Sequence, residues 1–204
     1  MALAASVPAV PADRDAERRP FSHRLHLKLR LDCQTCHVSA ARSSRLEDNN
    51  LPPKEVCLRC HKQAVVKAPR TTAIARFDHS KHIKIGDIGK VIAAAIDQGT
   101  YLSSAEGLKQ KLTSGQPCKG CHRGLEESDE VTKAAFPTMA DCLVCHSKIQ
   151  PPDSCLFCHN EGQKLKPDDH TPDYIDLHTG GKISLKKESC AVCHGKRFTC
   201  MGCH

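Results

Sequence analysis

Hydrophobic positions along the 204-residue chain are sparse and interrupted. The clearest periodic run is "DIGKVIAAAIDQ" at 87–98, whose Ile, Val and Ala positions fall on one face at helical spacing. It predicts a short amphipathic helix. "SSAEGLKQKL" follows at 103–112, with Ser103 and Glu106 at the spacing of a capping box. Residues 83–117 therefore read as a helical spacer. Shorter helices are predicted at 53–66, 128–135 and 184–194. Alternating strand patterns are few. Prolines at 52, 53, 69, 117, 137, 151, 152, 167 and 172 cut the chain into short pieces. No apolar run approaches the roughly 18 residues of a membrane-spanning helix. The pattern predicts a mostly irregular fold with short α-helices and little or no sheet.

Composition sharpens this picture. Apolar residues make up 39% of the chain and aromatics 3%, with no tryptophan. A chain this size has much surface for its volume, and such side chains alone would build a thin core. Something else must fill the interior. The 14 cysteines show what it is. They fall as seven C-x-x-C pairs, each followed at once by histidine: CQTCH, CLRCH, CKGCH, CLVCH, CLFCH, CAVCH and CMGCH. C-x-x-C-H is the attachment signature of haem c. The two sulfurs form thioethers to one porphyrin, and the adjacent histidine reaches its iron.

Other uses of cysteine fit less well. Structural zinc takes C-x-x-C pairs two at a time and does not require a histidine after each. A thioredoxin-like site needs one C-x-x-C, not seven. A disulfide scaffold explains the cysteine count but not seven histidines. The pattern predicts seven covalently attached haems. Their thioether cysteines are Cys33, Cys36, Cys57, Cys60, Cys118, Cys121, Cys142, Cys145, Cys155, Cys158, Cys190, Cys193, Cys200 and Cys203. The proximal iron ligands are His37, His61, His122, His146, His159, His194 and His204.

Six of the thirteen histidines remain: His23, His26, His79, His82, His170 and His178. The first four form two H-x-x-H pairs, each behind a phenylalanine, in "FSHRLH" (21–26) and "FDHSKH" (77–82). On a helical turn, i and i+3 face the same side. Each pair could serve two neighbouring haems. His170 and His178 flank "TPDYIDL", a candidate helical turn after Pro172. All six are candidate distal ligands, which leaves one haem short. Met139 could take that position, since a thioether is a known haem ligand, or it could simply pack against a porphyrin. A lysine, water, an open site or a partner chain are the other options.

From these residues the chain resembles a multihaem cytochrome c. The F-x-H-x-x-H plus C-x-x-C-H grammar is similar to class III and related small periplasmic multihaem cytochromes. The segment "MADCLVCHSKIQPPDSCLFCHNEGQKLKPDDHTPDYIDLH" resembles parts of larger members of that superfamily. The resemblance implies that the two histidines of each H-x-x-H ligate different irons. It also implies a periplasmic or extracellular bacterial protein, because c-type haem is attached outside the cytoplasm.

The ligand grammar divides the chain. Residues 1–20 read as a leader remnant or flexible arm. Residues 21–70 form a two-haem module, 71–150 a second containing the spacer, and 151–204 a three-haem module. The repeat is read as one of ligand grammar rather than of length. The spacer is expected to be scaffold covering a haem edge. The polypeptide carries a formal charge of +7. Seven haems would add about fourteen propionates and bring the oxidised protein close to neutral. Lys and Arg are therefore expected to pair with propionates, and no nucleic-acid role is expected.

Bis-histidine haems have no free coordination site, which suits electron transfer rather than catalysis. The expected function is an electron carrier and not an enzyme. Expected partners are other redox proteins, membrane-associated electron-transfer complexes or a larger cytochrome assembly. The alternative is a reductase of a small oxyanion or nitrogen compound at one incompletely ligated haem.

Overall fold

The computed structural model describes residues 21–64, 74–112, 115–146, 155–165, 168, 170–182 and 187–194. Residues 1–20 and the last motif, with Cys200, Cys203 and His204, lie outside the described residues. The described chain is helical and irregular, with no strand. Its α-helices are α1 (His23–Lys28), α2 (Cys33–Cys36), α3 (Lys54–Cys57), α4 (His79–Ile85), α5 (Ile88–Asp97), α6 (Leu108–Lys111), α7 (Met139–Leu143), α8 (Tyr174–Thr179) and α9 (Lys187–His194). Short 3-10 turns lie at Ala40–Arg42, Pro117–Gly120, Lys133–Ala135 and Cys155–Phe157.

Both H-x-x-H segments are helical, and capping explains where they start. The Ser22 hydroxyl accepts from the Leu25 N–H at 3.2 Å, and the Asp78 carboxylate accepts from the Lys81 N–H at 2.9 Å. α4 stops at Gly86, whose φ of 92° favours glycine. The expected amphipathic helix at 87–98 is α5, capped by Asp87. The turn expected after Pro172 is α8. Of three other expectations, two shrink and the third is met over its described residues. The helix expected at 53–66 is only Lys54–Cys57, that at 128–135 is only the turn Lys133–Ala135, and that at 184–194 is α9. After α5, the helix starts at Leu108 rather than near Ser103, because Gly107 adopts a left-handed conformation (φ 65°).

Among the described residues the buried hydrophobic side chains are Ile92, Ala95, Tyr101, Leu112, Ala135, Ala140 and Leu143, and all lie between 92 and 143. Ile92 is fully buried, which contributes roughly 1.5–3 kcal/mol. α5 lies against the Pro117–Gly120 turn. The contact is backbone to backbone: a Cβ on Gly120 would lie 2.7 Å from the Gly89 nitrogen, and one on Gly89 would lie 2.7 Å from the Leu112 carbonyl oxygen. Glycine is needed at both places. Among the described residues of 21–64 the buried ones are Ser22 and Ser43 alone.

Two stretches have matching construction. Cys33, Cys36, His37, Cys57, Cys60 and His61 recur 85 residues later as Cys118, Cys121, His122, Cys142, Cys145 and His146. The H-x-x-H segment recurs only 56 residues later, so 29 residues are inserted between ligand helix and first motif of the second unit. That insertion accounts for most of the spacer. The repeat is therefore one of length as well as of ligand grammar across the paired motifs. The two units also seat each other's ligand helices. On α1, the Ser22 hydroxyl donates to Asp129 at 2.5 Å and Arg24 binds both Asp129 oxygens. On α4, the Ser80 N–H donates to the Ser43 carbonyl at 2.9 Å. Ser43 and Ser44 correspond to Ser128 and Asp129, so the two seats are equivalent to within one residue.

Candidate haem sites

Five of the described C-x-x-C-H motifs fold into single tight turns. The His37 N–H donates to the Cys33 carbonyl at 2.9 Å, and the same bond closes His61 on Cys57, His122 on Cys118, His146 on Cys142 and His159 on Cys155. One turn thus gathers two thiols and an imidazole on one side, as attachment of one macrocycle requires. The twelve described cysteines form no disulfides with one another. Among the described residues no three His, Cys, Asp or Glu converge as they would around zinc.

The H-x-x-H histidines face motif histidines. The ring centroids of His23 and His37 are 6.2 Å apart, with planes within 9°. His26 and His61 are 6.0 Å apart, His82 and His146 6.3 Å, and His170 and His194 6.4 Å. These gaps exceed direct stacking, such as the 4.3 Å between Phe77 and His82. Two imidazoles sharing one metal ion along an axis have centroids about 6 Å apart, since each metal–nitrogen bond is about 2 Å and each nitrogen lies about 1.2 Å from its ring centre. The residues fit an iron held from both sides. His79 lies near His122, whose charge is, after burial, the next largest influence holding the His79 imidazole below the ordinary range.

The opposite ring nitrogens are held. His26 Nδ1 donates to the Ser22 carbonyl at 2.8 Å and His82 Nδ1 to the Asp78 carbonyl at 2.7 Å. His37 Nδ1 donates to the Asn50 carbonyl at 2.7 Å, and His122 Nδ1 donates to the Ala135 carbonyl at 3.1 Å, 13 residues on in both cases. A carbonyl only accepts, so Nδ1 carries the proton and Nε2 presents its lone pair. Such outer contacts fix tautomer and ring orientation at metal sites. Asn50 also reaches toward the second unit, with its amide nitrogen 3.5 Å from His79 Nδ1. The Nδ1 atoms of His23 and His178 are buried without a hydrogen-bond partner.

Phe21 and Phe77 align the pairs. Phe21 meets His23 edge-on (4.8 Å, 88°) and His26 face-on (4.6 Å, 25°). Phe77 does the same to His79 (4.7 Å, 82°) and His82 (4.3 Å, 22°). Between His170 and His178 this place is taken by Tyr174, at 4.9 Å and 6.3 Å. Met139 opens α7, three residues before Cys142, and is 40% exposed.

Burial disfavours the charged form at His23, His79 and His122. Burial first, and then the charges of His37, His26 and His122, depress His23 to about 4. Burial also lowers His122. Thiols of different motifs come near enough to influence one another. A hydrogen bond from Cys118 holds Cys33 down to about 6. Cys36 neighbours Cys57 and Cys60, and Cys193 neighbours Cys155. Cys142 is pushed up to about 11 by burial, then by Asp141 and by the nearby Cys121 and Cys158.

Between motifs three and four sits a buried ion pair that the sequence reading missed. Arg123 Nη2 binds Asp141 Oδ2 at 2.6 Å and Nη1 binds Oδ1 at 3.1 Å, with both side chains almost completely buried. The Tyr101 hydroxyl donates to Asp141 Oδ1 at 3.0 Å, and the Thr138 N–H and hydroxyl donate to Oδ2. Burial pushes the Asp141 carboxyl up, but donation by Arg123 and Thr138 more than offsets this and holds it below the ordinary range. The signal that could have found the pair is its position directly after His122 and directly before Cys142.

A protein whose cysteines all lie in haem-attachment motifs, with imidazoles paired at metal-sharing distance, is of the multihaem c-type cytochrome class. Residues 29–204 match the family described as outer membrane cytochrome MtrC/MtrF-like, domains II/IV, and the chain belongs to that family. No curated protein and no solved structure matches it. The family match supports a multihaem cytochrome of outer-membrane type rather than the small class III kind. It makes the protein one of electron transfer, located in the periplasm or outside the cell. Among the described residues no helix is long and apolar enough to cross a membrane.

Proposed function

We propose that the chain carries electrons along seven haems that are mainly bis-histidine ligated, between redox partners in the periplasm or at the cell exterior. The observation that carries this reading is the set of four imidazole pairs at 6.0–6.4 Å. The axial pairs are His23 with His37, His26 with His61, His79 with His122, His82 with His146 and His170 with His194. In both units the first histidine of H-x-x-H serves the first following motif and the second serves the next. His178 is a further distal ligand. Met139 is a candidate for the seventh position.

Haem supplies a one-electron couple; the chain's residues hold, orient and space it. Phe21, Phe77 and the carbonyls of Ser22, Asp78, Asn50 and Ala135 fix the imidazoles. The mutual electrostatic influence of the thiols supports an order in which motif two neighbours motif one, one neighbours three, and three to six follow in sequence. Partners are other redox proteins or membrane-associated complexes, or further subunits of a cytochrome assembly. The seven regular motifs favour a carrier over a reductase.

Mass spectrometry of the purified protein and electron paramagnetic resonance of its oxidised form test the proposal. Seven covalent porphyrins are expected, with low-spin iron at each histidine pair. His26→Ala and His82→Ala should each convert one haem to high spin. A mass equal to the bare polypeptide overturns the reading.

A further inference from the structure

The paired units diverge where Arg123 and Asp141 stand. Eighty-five residues earlier the same positions are Val38 and Val56. The sister unit therefore carries two apolar residues at these positions, and Val38 there is exposed rather than buried. A buried ion pair generally gains little stability over well-packed apolar residues, so stability alone does not account for it. Its construction is nonetheless complete. Five donors meet the two Asp141 oxygens, and Arg123 Nη1 also donates to the Gly120 carbonyl at 2.9 Å. Tyr101, one of those donors, comes from the inserted segment.

The pair lies between the two attachment turns of the second unit. Asp141 directly precedes Cys142, while Arg123 directly follows His122 and holds the carbonyl of Gly120, beside Cys121. The carboxylate's charge is felt at both Cys121 and Cys142, and the guanidinium offsets it at Cys121. A fixed charge away from water is poorly screened. A negative charge beside a haem favours the ferric over the ferrous state.

We propose that Asp141, locked by Arg123, Thr138 and the Tyr101 hydroxyl, is a redox-tuning residue that lowers the potential of the haem carried by Cys142 and Cys145 relative to its sister on Cys57 and Cys60. The inference rests on the haem reading above. The inserted segment then has a use beyond cover, because it delivers the hydroxyl that fixes the carboxylate.

Spectroelectrochemical titration of the holoprotein tests it. Asp141→Asn should move one midpoint potential upward with haem content unchanged. Arg123→Val with Asp141→Val installs the sister unit's residues and should produce an upward shift of the same component even if Asp141→Asn fails to fold. Arg123→Lys keeps the charge and should leave the titration near that of the parent. A full haem complement with unmoved or lowered potentials in the first two variants overturns the tuning role. Absence of covalent haem in the parent overturns the haem reading instead, so the two failures are distinguishable.

Discussion

The first unit, 21–64, and the second, 77–146, hold their imidazoles in the same way but build different surroundings. His26 meets His61 at 6.0 Å, and His82 meets His146 at 6.3 Å. The phenylalanine contacts agree within a few tenths of an ångström. Yet every buried hydrophobic side chain among the described residues belongs to the second unit or its insertion. In the first, Leu25, Leu29, Val38, Leu51 and Leu58 are exposed in the polypeptide. The ligand cage is thus independent of a side-chain core. What the insertion adds is a protein interior, and with it the dry environment that Arg123 and Asp141 require.

Removing haem from each unit should break this comparison most strongly. Cys57→Ala with Cys60→Ala should leave the first unit open to limited proteolysis. Cys142→Ala with Cys145→Ala should leave α5 protected, because Ile92 and Tyr101 keep their own contacts. Next in size, Arg123→Met strands a buried carboxylate and should cost about 3–5 kcal/mol in denaturant unfolding of the holoprotein. Gly120→Thr installs the residue that the first unit carries as Thr35. It should cost about 1–3 kcal/mol, since its Cβ would meet the Gly89 backbone. Thr35→Gly should change much less.

Acid should act on the second unit through Asp141. Its folded-state pKa lies below the ordinary value of 3.8, so its contribution is fully present above that value and is lost as the pH falls through the lowered one. Loss of α5 protection below pH 3.8, followed by hydrogen exchange, should be weaker in Asp141→Asn than in the parent. The smallest effect is expected at the surface. Lys111 bridges the insertion to Glu127 at 2.6 Å, but both side chains are about half exposed. Lys111→Met should shift stability by less than about 1 kcal/mol.

The chemistry was legible in the sequence because covalent attachment and axial ligation demand fixed residue types at fixed spacing. The helical H-x-x-H turns, α5 and α8 were legible for the same local reasons. Helix extents were less so. α3 stops at Cys57, where the attachment turn begins, and α6 waits for Gly107 to reverse the chain. The crossed seating of α1 and α4 depends on contacts about 105 residues apart for α1, which no local pattern carries. Asp141 reads in sequence as an ordinary polar position. Only the fold brings Arg123 and Tyr101 to it.

The reciprocal seating also bears on how such a chain could arise. Among the described residues, each ligand helix rests on the other unit: α1 leans on Asp129, and α4 on Ser43. A lone ancestral half would have found that floor on another copy, by twofold exchange. Gene fusion of such a homodimer, followed by insertion in one half only, would leave the present pattern: equal motif spacing, swapped helices and, among the described residues, a protein core in the half that carries the insertion.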